Sequence, residues 1–269
     1  MRAQAVETAF NSLLAVSLVK KALVDSRKID SPPYARAALQ HLRRVDPVLA
    51  RIIGQVGPFR AAHRPERFQA LVRAIIFQQL AGRAAQAIYN RFVKATGGSR
   101  FPTPRQVLAA TDDDLRGAGL SRGKMAYIRD LAAKVAGGEI NFRRFAKLDD
   151  EEIIEELTRV KGIGRWTAEM FLMFNLRRPD VLPVDDLGFR NAVAKAYEMR
   201  KPLTPKELRV FGERWRPYRT VAVWYFWQST RIVTPGDPGR AVVPAPARRK
   251  KAPAGSKPAR VHAVRKSRA

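Results

Sequence analysis

Between about Ala35 and Val233 the apolar residues recur at helical spacing, and this limits the fold more than any other feature of the chain. Phe68, Leu71, Val72, Ile75 and Ile76 stand at i, i+3, i+4, i+7 and i+8, the pattern of a helix with a buried face. Met125, Ile128, Leu131 and Val135 repeat the pattern. Glu151–Val160 gives a further helix, with Asp149 and Asp150 placed where capping and the helix dipole favour negative charge. Alternating apolar–polar runs joined by Asn-Gly turns, which would signal hairpin strands, are not found. The expectation is an all-α domain of about 200 residues.

The two ends read differently. Residues 1–35 suggest an N-terminal helical extension, interrupted at Ser31-Pro32-Pro33. The apolar run Leu13–Val19 is short and follows Glu7, which argues against a secretory leader. Residues 234–269 are rich in Pro, Ala, Lys and Arg and include Arg248-Arg249-Lys250-Lys251. They hold too little apolar material for a core, so a disordered basic tail is expected. No run of about 18 apolar residues is present, and a cytoplasmic protein without membrane association is expected, nucleoid-associated in a bacterium.

Charge narrows the partner. Lys and Arg number 51 against 24 Asp and Glu, a net +27. The tail carries ten Lys/Arg against Asp237 alone, so residues 1–233 keep a net +18. A body this basic points to a polyanion, first of all nucleic acid. The chain has no cysteine, which excludes disulfides, thiolate zinc sites, cysteine nucleophiles and a cysteine-ligated iron–sulfur cluster. A three-histidine metal site would need all of His41, His63 and His262, one of them in the tail.

Two segments carry chemistry. In Val160-Lys161-Gly162-Ile163-Gly164-Arg165-Trp166-Thr167-Ala168 one helix runs into Gly-Ile-Gly and another begins. Glycines permit a tight turn, and the amides opening the second helix can hold a phosphate, with Lys161 and Arg165 adding positive charge. A plain helix–helix turn would look similar; the basic flanks and the +18 body favour DNA phosphate. About twenty residues on, Leu182-Pro183-Val184-Asp185-Asp186-Leu187-Gly188 places two acids in a basic, apolar neighbourhood. Helix capping accounts for an aspartate here. An acid on a DNA-binding surface repels phosphate, however, which suggests a catalytic reason for it.

Together these segments resemble the helix-hairpin-helix-GPD superfamily of DNA glycosylases, and within it the alkylation-repair branch typified by DNA-3-methyladenine glycosylase II. The resemblance runs from about residue 36 to 232 and includes Phe68–Ala81, Gly119–Lys124 and Glu213–Arg219. It implies a two-lobed helical fold over residues 36–233, with the active-site cleft between the lobes. Larger relatives can add an N-terminal β-domain; with about 35 residues before the match, the compact form is expected.

The resemblance makes Asp186 the catalytic carboxylate and Asp185 its understudy. A fixed carboxylate stabilises the oxocarbenium charge that develops as an N-glycosidic bond breaks, or orients water. Trp166 stands where strand-cutting relatives carry a Schiff-base lysine, which implies a monofunctional hydrolase that leaves an abasic site. An indole there also favours a cationic alkylated base by cation–π attraction. Trp227 and Met170 are expected at the base pocket, although core packing explains Trp227 equally well. Base flipping needs a plug, for which Gln79 or Leu80 is expected; exposed glutamines at a helix end would read the same. Lys161, Gly162, Ile163, Gly164, Arg165, Arg122 and Lys124 are the expected DNA contacts, with a solvated loop as the other reading of Arg122 and Lys124. The main-chain carbonyls of Thr158, Val160 and Ile163 match positions where relatives hold a monovalent cation, K⁺ or Na⁺. No cofactor is required and no iron–sulfur cluster is expected. The partner is double-stranded DNA containing alkylated bases, met by a monomer. Two other readings stand beside this one: a non-catalytic hairpin DNA-binding protein, and a glycosylase for uracil, hypoxanthine or etheno-adenine.

Overall fold

The computed structural model describes residues 29–62, 66–80 and 82–230. The expected extension before residue 29 and the basic tail lie outside the described residues. Twelve α-helices follow in order among the described residues: α1 (Ala35–Val45), α2 (Pro47–Val56), α3 (Arg67–Phe77), α4 (Gly82–Gly97), α5 (Pro104–Ala109), α6 (Asp112–Gly117), α7 (Arg122–Ala136), α8 (Asp150–Thr158), α9 (Arg165–Phe174), α10 (Leu187–Ala196), α11 (Pro205–Phe211) and α12 (Arg219–Ser229). Short 3₁₀ turns cover Arg144–Ala146 and Gly212–Trp215. Among the described residues the one ladder of strands is a two-residue antiparallel pair, Ile29 opposite Ala62 and Asp30 opposite Ala61.

The helix starts follow local rules. Thr103, Thr111, Asp149 and Thr204 cap α5, α6, α8 and α11 through reciprocal boxes with Gln106, Asp114, Glu152 and Glu207. Such caps set where each helix begins, and each is worth about 1 kcal/mol.

The helices pack in two sets. The contiguous stretch α3–α7 forms one, with α3 against α4 and α7, and α5 against α7. The other joins the two ends of the body, with α12 against α1, α2 and α10. Helix α9 packs on α8 and reaches α3. One continuous cluster of buried apolar side chains runs through both sets.

Helix α3 departs from the one-faced pattern of its sequence. Every residue from Ala70 to Phe77 is buried. That includes Arg73, whose guanidinium donates to Gln86 Oε1 at 2.9 Å and lies 3.9 Å over the Phe77 ring. A helix enclosed all round can place its C-terminal end accurately, and that end carries Gln78 and Gln79.

Candidate active site

Trp166 sits in the first turn of α9, just past the hairpin, with its indole half-buried. Its Nε1–H donates to Asp186 Oδ2 at 2.9 Å. The other carboxylate oxygen, Oδ1, accepts Phe189 N–H at 2.6 Å, which makes Asp186 the N-cap of α10. Capping and candidate chemistry therefore belong to one carboxylate: the cap fixes its rotation and the indole fixes its second oxygen. Asp186 is only 1% exposed, whereas Asp185 points to solvent. The pair bridges α9, packed with α8 and α3, to the start of α10, packed with α12.

Trp227 stacks on Phe174 with centroids 6.2 Å apart, meets Phe189 edge-on at 6.4 Å, and is 9% exposed. It packs against the residue whose amide Asp186 caps. Met170, one turn after Trp166, has no exposed surface and belongs to the core, so it backs the site rather than lining it.

A second buried aspartate provides a control. Asp46 caps α2 by accepting Leu49 N–H at 3.0 Å, and its Oδ2 accepts Trp215 Nε1–H at 2.7 Å and the Tyr197 hydroxyl. The cap and the indole donor are the same as at Asp186. Trp215 is wholly buried, however, while Trp166 reaches solvent. The two carboxylates are equally buried, and what differs is the indole beside each, which reaches solvent only next to Asp186.

The hairpin between α8 and α9 turns at Lys161 and Gly162. Gly162 has φ of +80°, and a Cβ there would lie 2.2 Å from Tyr127 Cδ2, so glycine is required twice over. Gly164 caps α9 with φ −92° and faces open space. Lys161, Gly162 and Gly164 are exposed, while Ile163 is buried and its N–H closes the turn on Val160 O at 3.0 Å. The turn therefore offers backbone outward and anchors itself with one apolar side chain.

A family model for HhH-GPD superfamily base excision DNA repair proteins matches residues 72–217. The chain belongs to this superfamily. The matched span holds Gln79, the hairpin and Asp186, and stops short of Trp227. A DNA-3-methyladenine glycosylase of Schizosaccharomyces pombe is 36% identical over 193 residues, covering 71% of this chain and 85% of that protein. The solved structure of an S. pombe 3-methyladenine DNA glycosylase with abasic DNA superposes with TM-score 0.64 at 36% identity, covering 73% of this chain and 97% of that one. A Bacillus halodurans DNA-3-methyladenine glycosidase gives TM-score 0.67 at 38% identity, covering 74% and 89%.

In this HhH-GPD chain two of the expected DNA-binding cations have other partners. The Arg165 guanidinium engages both oxygens of Glu151 and lies 3.3 Å from Glu169 Oε1, so its charge is already matched. Lys124 Nζ donates to Ile76 O at 2.7 Å and Gln78 O at 2.8 Å, closing the C-terminal end of α3. Burial lowers its pKa to about 8. Arg122 stands exposed at the start of α7. Gln79 is exposed with φ of +56°, a left-handed conformation costly for a residue with a Cβ, and Leu80 is half-buried.

A cavity of about 620 Å³ lies on another side of α9 and is lined by Arg165, Glu169, Leu172, Asp150, Arg178 and Asp180 among others; neither Trp166 nor Asp186 borders it. Glu169 is 2% exposed, and burial raises its pKa to about 7 against the pull of Arg165. Its Oε2 is buried without a hydrogen-bond partner. Glu169, Tyr127, Asp130 and Asp46 are not singled out by the sequence. An acid in an otherwise apolar helix, as at Glu169, was the one available signal.

No helix among the described residues is long and apolar enough to cross a membrane. No group of three or more His, Asp or Glu side chains among them is placed to hold a metal ion.

Proposed function

We propose that this protein is a DNA glycosylase that hydrolyses the N-glycosidic bond of alkylated purines, 3-methyladenine and 7-methylguanine, in duplex DNA and leaves an abasic site. The observation that carries the reading is the Trp166–Asp186 pair: a carboxylate held at both oxygens beside a half-exposed indole. The names of its relatives agree with it.

The chemistry follows from the pair. As the glycosidic bond breaks, its electrons leave with the base and positive charge gathers on the sugar. The Asp186 carboxylate, fixed before the substrate arrives, stabilises that charge without reorganising. The same carboxylate can orient the water that adds to the sugar carbon. A base made cationic by alkylation departs without strong acid assistance, and the Trp166 ring favours it by about 0.5–2 kcal/mol over a neutral one. No lysine occupies position 166, so no Schiff base forms and the strand stays intact.

The flipped base would enter where the two sets of helices meet, with Trp227 and Met170 behind the wall and exposed Gln79 filling the vacated stack, since flipping costs a few kcal/mol. Backbone amides at Gly162–Gly164 would take phosphate, with Lys161 and Arg122 adding charge. A K⁺ or Na⁺ ion would be held by carbonyls of Thr158, Val160 and Ile163. The Val160 carbonyl keeps a second lone pair beyond its bond from Ile163. The protein would act as a monomer in the cytoplasm, on nucleoid DNA in a bacterium.

The test is to incubate the purified protein with methylated duplex and identify the freed bases by mass spectrometry. Release of 3-methyladenine and 7-methylguanine is expected. Faster release of uracil would refute the cationic-base argument.

A further inference from the structure

Helix α7 bears on both loops that would face DNA. Lys124, Tyr127 and Asp130 follow at three-residue steps, about one helical turn each. Lys124 closes the end of α3 through the carbonyls of Ile76 and Gln78. The Tyr127 ring occupies the place a side chain would take at Gly162. Asp130 Oδ2 accepts the backbone N–H of Lys161 at 2.9 Å, and its other oxygen holds Lys134 Nζ at 2.9 Å. The two loops also meet directly, because Gln78 Nε2–H donates to Gly162 O at 2.8 Å across 84 residues of sequence.

Between these fixed points stands Gln79, exposed and left-handed. A helix ending in a left-handed residue ordinarily uses glycine or asparagine there. Here a side chain is kept at that place, and an ammonium and an amide from neighbouring residues hold the turn. Strain of this kind persists only where the surroundings over-determine it.

We infer that Gln78 and Lys124 are positioning residues, which with the Tyr127–Asp130 face of α7 fix the Gln79 tip at a set distance from the hairpin turn, so that the plug enters the duplex in register with the gripped phosphate. The inference rests on the glycosylase reading. Neither residue touches the base, the sugar or Asp186. Their loss should therefore uncouple extrusion of the base from binding of the duplex.

The experiment uses the full chain and a duplex with 2-aminopurine beside 7-methylguanine, whose fluorescence rises when its neighbour leaves the stack. Lys124→Met and Gln78→Leu each remove a donor while keeping bulk. For both, the fluorescence rise and the single-turnover rate of base release should fall about tenfold or more. Kd for undamaged duplex should stay within about threefold of wild type, and cooperative melting should persist. Variants that brighten and release base like wild type overturn the inference. So do variants that lose undamaged-duplex binding in step with the rate, which indicates general loosening. Should Lys124→Met fail to fold, Gln78→Leu decides alone, because its bond to Gly162 lies at the surface. A wild type that neither brightens nor releases base overturns the glycosylase reading itself. A wild type that does both, with variants that match it, overturns the positioning role only.

Discussion

The indole N–H of Trp166 reaches Asp186 Oδ2 at 2.9 Å and joins the first turn of α9 to the cap of α10. The side chain proposed to meet the base thus also orients the carboxylate proposed to meet the sugar. Trp166→Phe keeps an aromatic face and removes this one donor. A hydrogen bond to a charged group contributes about 1.5–3 kcal/mol, so base release should fall about tenfold or more while duplex affinity holds. Single-turnover kinetics on methylated duplex measure it; an unchanged rate would separate the bond from the chemistry.

The two hairpin glycines should respond oppositely. Gly162→Ala forces a Cβ to 2.2 Å from the Tyr127 ring at a φ of +80°, and should lower stability by several kcal/mol. Gly164→Ala meets open space at φ −92° and should fold normally. If its amide region grips phosphate, Gly164→Ala should still weaken DNA binding, because the added methyl stands where the strand would lie. Melting curves and duplex affinity for each variant separate the two effects.

Glu169 gives the protein a pH-dependent weakness. Its folded pKa of about 7 lies above the ordinary 4.5, so between those values the native state holds a proton that the unfolded chain has released. Stability from this group is complete below about pH 4.5 and is lost as pH rises through about 7. Glu169→Gln should flatten that decline and stabilise the protein by up to about 3 kcal/mol at pH 8. Melting temperatures between about pH 5 and 8 test it; parallel curves for variant and wild type would contradict it.

The helices were legible because spacing and caps are local. Asp149 and the apolar residues of α8 stand three and four apart, and the structure starts that helix where they indicate. Trp166 and Asp186 were legible as a pair through the family pattern, and twenty residues of separation left their meeting to the fold. What escaped notice depends on distant partners. Nothing near Lys124 announces that its ammonium will close a helix ending 47 residues earlier. Nothing near Arg165 in sequence announces its pairing with Glu151, fourteen residues away in another helix. Asp46 before Pro47 reads as an ordinary cap, and its burial comes from Tyr197 and Trp215, more than 150 residues on. The resemblance implies Met170 at the pocket, one turn after Trp166, and its complete burial comes from packing that its neighbours in sequence do not announce.

The central claim is that the Asp186 carboxylate performs the chemistry rather than merely capping α10. Asp186→Asn keeps an oxygen for the Phe189 amide and loses the negative charge. The decisive measurement is single-turnover release of 3-methyladenine and 7-methylguanine from duplex by this variant, beside its duplex affinity. Release should fall at least about 100-fold with affinity equal to wild type or tighter. Release at the wild-type rate by a folded, DNA-binding Asp186→Asn protein would contradict the account.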